Sequence, residues 1–505
     1  MYPFTGWRIL SSILLLVLVL TGCGTSNLNL VSGSDQRGAY SWAEQVELGT
    51  QADPQIIAQY GLLDDPEVAS YVDRIGQDVL QSAFAAIQAS IDAGEVQIDA
   101  ATFEEVRRTP FYFRVLDTPM VNAFALPGGY TYYTRGILTH FDNEAQLAMV
   151  IGHELGHVLA QHSSRRAFET QRNQFGLLGA AIAGTLIGGD GVGQNILEVG
   201  STGLQLLALG YSREAEREAD RAGVAYSEFA DYDAAESARF FDVLQRMQAA
   251  AGGAPPTFLS THPDPVEREQ TIRQLATLYN GTRVNAGPYL DAVDGLVLGE
   301  NPREGFAENG VFYQPELAFQ FDIPRGWRVN NTRQAVILGE PNGNASFQFT
   351  FAGQSSASAA ARELSSQQGV TVTGQQNLSA NGNPGVLVEG QAAQQGGSLA
   401  FLAGFVEYGG NVYQMLGISR PETYNTYGRE FSQVIQSFAR LTDRRLLNRQ
   451  PVRLDVVEVT RTAPFSSFLA GRPEVPGMDA NDLAILNQVE LNDTIRAGTL
   501  LKLPR

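Results

Sequence analysis

A chain of 505 residues with one cysteine, Cys23, one lysine, Lys502, and five histidines is defined first by what it cannot build. A single thiol excludes an internal disulfide framework, a cysteine-based structural zinc site and an iron–sulfur cluster. Acidic residues outnumber basic ones 54 to 35, and the net charge of −19 leaves no basic face for phosphate, so nucleic acid is not an expected partner. Apolar runs of the roughly 20 residues that a membrane span needs are also missing. The stretch 176–189, rich in small and apolar residues, is too short for a span and reads as a buried helical arm. The length exceeds one compact core and implies two to four domains. With histidine this scarce, any cluster of it stands out.

What is present begins with a leader. Arg8 precedes the short apolar run 9–20, which has the size of a signal-peptide core. Leu20-Thr21-Gly22-Cys23 follows and resembles a bacterial lipobox, in which the signal is cut before a cysteine that is then acylated. Residues 1–22 are accordingly expected to be a signal peptide and Cys23 the lipidation site, since several acyl chains anchor stably where one does not. Gly24 is not the Asp that resembles an inner-membrane retention signal, which favours the periplasmic face of the outer membrane. The Ser-, Gly- and Asn-rich residues after Cys23, within 23–45, read as a flexible tether.

Helical periodicity dominates up to about residue 283: around 68–80, 145–160 and 217–248. A strand-like interruption pairs the alternating run 111–116 with Tyr130–Thr134 across the turn signal Leu126-Pro127-Gly128-Gly129, which is most simply a hairpin before a long helix. From about 300 the texture changes to strands at 319–323, 336–338, 347–351 and 412–416, with helices at 355–367 and 424–438. That pattern implies a separate α+β domain with an antiparallel sheet.

His153-Glu154-Leu155-Gly156-His157 is the chemical centre. Asp142-Asn143-Glu144 is a plausible helix start, and the segment continues as helix to Ala160. Positions four apart share a helix face at about 6 Å, so both imidazoles can reach one zinc ion at about 2.0–2.1 Å. Glu154, one residue on, can take a proton from the metal's water and later give it to a leaving amine. A catalytic zinc needs a third protein ligand. The run Tyr211-Ser212-Arg213-Glu214-Ala215-Glu216-Arg217-Glu218-Ala219-Asp220 offers two pairs at helical spacing, Glu216 with Asp220 and Glu214 with Glu218, and spacing alone does not choose between them.

The combination resembles the gluzincin metallopeptidase family that includes HtpX, BepA and the CAAX prenyl proteases. The resemblance covers roughly 50–283. It implies that Glu216 is the third zinc ligand and that Asp220 orients a ligand histidine. It implies further that Asn122, Ala123, Phe124 and Ala125 form an edge strand onto which an extended substrate adds. Ser260-Thr261-His262-Pro263 resembles the Thr-His-Pro segment of periplasmic members, which makes His262 a candidate regulatory ligand able to sit on the zinc. His140 and His162 match no family role and read as a turn residue and a solvated helix residue. Tyr211 and Arg213 are candidate stabilisers of the oxyanion.

The expected architecture is thus multidomain. A mainly α zincin-type metallopeptidase domain with a small β-sheet occupies 46–285. An α+β domain follows at 300–445, whose Pro324-Arg325-Gly326-Trp327 turn resembles PsbP/Mog-like modules. Residues 450–505 resemble a small LysM-like module, without its usual Gly-Asp-Thr opening. The expected function is a lipid-anchored zinc metalloendopeptidase of the bacterial cell envelope, holding one Zn2+ per chain. Its substrates would be envelope proteins, including misfolded outer-membrane proteins. The rival reading is a latent or chaperone-like binding protein whose C-terminal modules scaffold an envelope complex or peptidoglycan.

Overall fold

The computed structural model describes residues 25–177, 211–250, 257–394 and 397–505. The expected signal peptide, Cys23 and nearly all of the 176–189 stretch lie outside the described residues. No helix among the described residues is long and apolar enough to cross a membrane.

The described residues open on a hairpin rather than a loose tether. Strands β1 (Thr25–Leu28) and β2 (Asp35–Gly38) pair antiparallel. Asn29 and Leu30, in the connection between them, are each 1% exposed. The composition suggested flexibility, but docking overrides it: the Leu30 amide donates to Leu159 O at 3.2 Å and Gln36 Nε2 to Ala160 O at 2.6 Å.

Helices α1 (Trp42–Tyr60), α2 (Pro66–Asp92) and α3 (Ala100–Arg108) follow. Asp65 caps α2, with Pro66 at its first position, where a missing N–H costs no hydrogen bond. The small sheet has the order β3 (Tyr112–Leu116), β5 (Tyr130–Thr134), β4 (Ala123–Leu126). The expected hairpin is corrected here. The Gly-Gly turn joins β4 to β5 antiparallel, and β3 runs parallel to β5. Positive φ at Gly128 and Gly129, 81° and 99°, suits that two-strand reversal.

After the short α4 (Arg135–His140), α5 (Glu144–Leu159) carries the His-Glu-x-x-His motif. The Asn143 side chain caps it by accepting from Gln146 N, and every residue of α5 is buried. The helix stops at Gln161, whose φ of 55° is left-handed. This uncommon conformation for a non-glycine residue is held by side-chain bonds from Gln45 Nε2 at 2.7 Å and to Leu28 O at 2.9 Å. Helix α6 (His162–Leu177) follows. Helix α7 (Arg213–Phe229), capped by Ser212, lies across α5, and α8 (Ser237–Ala250), α9 (Thr257–Thr261) and α10 (Pro265–Ala276) close the domain around it. The helical run expected over 217–248 is therefore two helices, broken where Asp231 takes a φ of 66°.

α5 and α7 meet almost backbone to backbone. A Cβ on Gly152 would lie 2.9 Å from Gly223 O, and one on Gly156 would lie 3.0 Å from Ala219 Cα. Only small residues permit that approach.

The second unit is built, among the described residues, on a seven-stranded antiparallel sheet. A four-stranded sheet lies beside it, and helices Ala357–Ser366 and Tyr424–Ser437 pack on it. Its cores are separate from that of the first unit. The segment from 450 onward is different. Leu454, Phe465, Leu483, Leu486, Leu501 and Leu503 belong to the same buried core as α2 and α5. A segment this small has little core of its own, and here its buried residues join the core of the zinc-motif domain. Lys502, 2% exposed, seals the junction: its Nζ donates to Thr139 O at 3.0 Å and Phe141 O at 2.9 Å and pairs with Asp142 Oδ1 at 2.8 Å.

Two outcomes follow. Lys502→Ala strands two carbonyls and a carboxylate and should lower stability by about 3 kcal/mol in denaturant unfolding. Gly152→Ala gains about 1 kcal/mol of helix propensity but forces the α5–α7 backbones apart at a cost of about 1–3 kcal/mol. Unfolding should therefore show a net loss rather than the gain typical of an exposed site.

Candidate metal centre

The α5–α7 contact sets two four-residue spacings against each other: His153 and His157 on one helix, Glu216 and Asp220 on the other. His153, His157, Glu216 and His262 then offer ligand atoms that all lie within 4.8 Å of one another, every residue buried. His153 Nε2 is 3.0 Å from His157 Nε2 and 3.3 Å from His262 Nδ1. Glu216 lies 3.1 Å from His262 Nδ1, 3.5 Å from His157 Nε2 and 3.6 Å from His153 Nε2. Four donors on a tetrahedron with bonds of about 2.0–2.1 Å sit about 3.3–3.4 Å apart. Three imidazoles and a carboxylate at these separations fit one zinc ion.

Glu154 completes the site. Both of its carboxylate oxygens are buried without a hydrogen-bond partner, as is His262 Nε2, which stands 3.5 Å from Glu154 Oε1. Buried carboxylates are normally satisfied, so this unpaired group facing the cluster marks a place for a polar reactant. Burial pushes the Glu154 carboxyl up to about 7. Burial pulls His153 down to about 4, with the Arg268 guanidinium adding to the effect, and holds His157 well below the usual range. Neutral imidazoles are what a metal requires. Burial also acts against the charged form of His262, but the Glu216 and Glu154 carboxylates outweigh it and hold its pKa above the usual value.

The second circle of contacts is as ordered as the first. Asp220 Oδ1 lies 3.0 Å from His153 Nδ1. Arg268 binds Asp220 through Nη2 at 2.7 Å and Nε at 2.9 Å, and pairs with Glu216 Oε2 at 3.1 Å. Its guanidinium lies over the Phe241 ring, 4.7 Å from the centroid. Burial works against ionisation of both carboxylates, yet Arg268 and the histidines more than reverse it, leaving Glu216 and Asp220 below the ordinary range.

The structure thus brings together His153, Glu154, His157, Glu216, Asp220 and His262. Glu214 is exposed. Tyr211 stacks on His157 at 3.9 Å and hydrogen-bonds Ser163 Oγ at 3.0 Å. Arg213 points away and pairs with Asp264 at 2.7 Å with a largely exposed side chain. Asn122, Ala123, Phe124 and Ala125 lie on or beside the outer strand β4, all under a tenth exposed, with Ala125 and Leu126 near His157 and Tyr211. Two expectations are corrected. His140 is the last residue of α4 rather than part of a turn, and it is buried, with Nδ1 against Gly136 O at 2.7 Å. His162 is not solvated: it is 2% exposed and touches His157. A period of 3.6 does not bring positions 157 and 162 together. The left-handed Gln161 does, and spacing alone gave no sign of it.

Residues 92–276 match the model described as peptidase family M48. The chain is 30% identical over 233 residues to a putative beta-barrel assembly-enhancing protease of Vibrio cholerae, covering 46% of this chain and 43% of that protein. It is 25% identical over 247 residues to the beta-barrel assembly-enhancing protease of Escherichia coli K12, covering 48% and 46%. With mitochondrial metalloendopeptidase OMA1 of Arabidopsis thaliana it shares 32% identity over 162 residues, covering 32% and 30%. The chain spans less than half the length of these curated relatives. A solution structure of cyanobacterial PsbP from Synechocystis covers 26% of this chain and 91% of that one at 13% identity; its TM-score of 0.23 defines no shared fold.

The geometry separates the two acidic pairs experimentally. Glu216→Ala should reduce zinc from about one per chain to near zero, measured by elemental analysis of the purified protein, while Glu214→Ala should leave it unchanged.

Proposed function

We propose that the chain is a zinc-dependent metalloendopeptidase of the bacterial envelope, and that the His153–His157–Glu216 set beside the unpaired Glu154 is its catalytic centre. That juxtaposition carries the reading. The metal, when bound, supplies a Lewis acid for the scissile carbonyl and lowers the pKa of water. Glu154 accepts the proton of the attacking water and returns it to the leaving amine. A carboxyl whose pKa lies near 7 is matched to both transfers. Asp220 holds the proton of His153 on Nδ1, so that Nε2 faces the metal. Tyr211, stacked on His157, is the nearer of the two candidate oxyanion stabilisers.

His262 makes the set of four donors that characterises closed sites, whereas catalysis keeps one position open. The described arrangement is the latent one on this reading, and His262 must leave for substrate to enter. The substrate adds to β4, whose backbone offers donors and acceptors whatever the side chains of the incoming strand. Unfolded chain is the matching substrate, and the names of the bacterial relatives point to proteins handled during beta-barrel assembly. Acylation at Cys23 would place the anchor two residues before β1, so that the domain rides close to the periplasmic face of the outer membrane. The α+β unit at 300–445, with its resemblance to PsbP/Mog-like modules, and the LysM-like end serve contacts to an envelope assembly or peptidoglycan.

The test is a paired assay on full-length protein with an unfolded substrate. Glu154→Gln should retain zinc and lose cleavage by roughly 10²–10⁴-fold, and His262→Ala should raise cleavage above wild type. If wild type, Glu154→Gln and His262→Ala are equally inert with zinc bound, the scaffold reading replaces this one.

A further inference from the structure

His153 and His157 are supported differently. His153 Nδ1 meets a carboxylate directly, at Asp220. His157 Nδ1 meets a second imidazole, His162 Nδ1, at 2.8 Å. His162 Nε2 in turn lies 3.0 Å from Glu218 Oε2, and Glu218 Oε1 accepts from Asn29 Nδ2 at 2.9 Å. Asn29 is itself fixed: its Oδ1 accepts from Val31 N at 2.8 Å and Ser32 N at 3.1 Å, and its backbone N–H donates to Ser34 O at 3.0 Å. The chain of contacts therefore runs from the candidate metal ligand through α6 and α7 to the connection between β1 and β2.

Donor and acceptor counting gives that chain a direction. The ionised Glu218 carboxylate only accepts. It takes one hydrogen from Asn29, so the contact with His162 requires a proton on Nε2. With that single proton on the ring, Nδ1 is bare and can only accept. The 2.8 Å contact therefore requires the proton of His157 on Nδ1, and Nε2 of His157 is left with its lone pair toward His153 Nε2 and Glu216. That is the tautomer a metal needs.

We propose that His162, Glu218 and Asn29 form a positioning relay that fixes the tautomer and orientation of His157 and so makes zinc affinity depend on docking of the N-terminal hairpin. The proposal rests on the zinc reading of the site. None of the three residues touches the cluster of four donors except through His157. Groups that orient a metal-bound histidine from behind are typically worth about 10–100-fold in metal affinity. A residue that only fastens α6 to α7 would change the unfolding of the metal-free chain and leave affinity alone.

The experiment is chelator competition for zinc on the full-length chain, together with unfolding of the metal-free protein. His162→Phe keeps a ring but removes the acceptor, and should weaken zinc binding by about 10–100-fold. Glu218→Gln should weaken it by about 10-fold. Asn29→Ala, at the far end, should give a smaller loss in the same direction. Glu214→Gln, on the exposed face of the same helix, is the control and should match wild type. In the cobalt(II)-loaded protein, His162→Phe and Glu218→Gln should also shift the visible absorption bands.

Zinc affinity within twofold of wild type for both His162→Phe and Glu218→Gln overturns the relay while leaving the zinc reading intact. Lower metal-free stability at unchanged affinity overturns it too, in favour of a fastener. Should His162→Phe fail to fold, Glu218→Gln and Asn29→Ala decide the matter; unchanged affinity in both removes the proposal. A wild-type chain that takes up no zinc sinks the zinc reading itself, and the relay with it.

Discussion

The contact between α5 and α7 is the constraint on which the rest of the site depends. Gly152, Gly156, Ala219, Ala222 and Gly223 let the two backbones approach to a distance that any larger side chain would prevent. At that separation, side chains rising on either side of the seam meet over it. His153 and His157 come from one helix, Glu216 and Asp220 from the other, each pair four residues apart. A wider crossing would leave the imidazoles and carboxylates too far apart to share one ion. The glycine inside the His-Glu-x-x-His sequence is therefore a packing residue, and the spacing of small residues on α7 is part of the site as much as the acids are.

Placing this much charge in a core has to be countered locally. Glu154, Glu216 and Asp220 are all buried, and the buried Arg268 guanidinium pairs with both Glu216 and Asp220. Desolvation of so many ionisable groups opposes folding, and a well-packed apolar core would be the more stable choice. The arrangement makes sense as preparation for a divalent cation. Arg268 balances the Asp220 carboxylate and steadies Glu216, two imidazoles are kept neutral, and Glu154 is left close to the point where it can hold or release a proton. Perturbed groups gathered in this way mark functional sites.

Much of this was legible in the sequence. His153, Glu154 and His157 announce themselves because five histidines cannot cluster often by chance, and a helix under that motif follows from Asn143 and the apolar period. The strands of the second unit show in alternation at 319–323 and 347–351, and the Asn-Gly turns at 342–344 and 381–383 fall between paired strands. Spacing alone did not choose between Glu216 and Glu214, because the choice depends on which face of α7 meets α5; the family resemblance pointed to Glu216. Three further features were hidden for one shared reason: tertiary contacts decide them. Residues 25–38 look like a linker until they dock. His162 reads as a surface residue until a left-handed residue turns the chain back. Residues 450–505 read as a module of their own until Leu454 and Leu483 enter a core begun some 400 residues earlier. The β3–β5 pairing failed differently: alternation identifies strands but says nothing of whether neighbours run parallel or antiparallel.

Lys502 has one more consequence. Apart from the terminal amine, it carries the chain's single primary amine, and folding buries it between two backbone carbonyls and Asp142. The native surface therefore presents arginine as its cationic side chain and offers amine-directed chemistry no lysine to attack. Acylation of that ε-amino group is possible only after the C-terminal segment has come away from the end of α4 and the start of α5. The one lysine is thus an internal probe, chemically silent while the clamp beneath the histidine helix is shut and reactive once it opens.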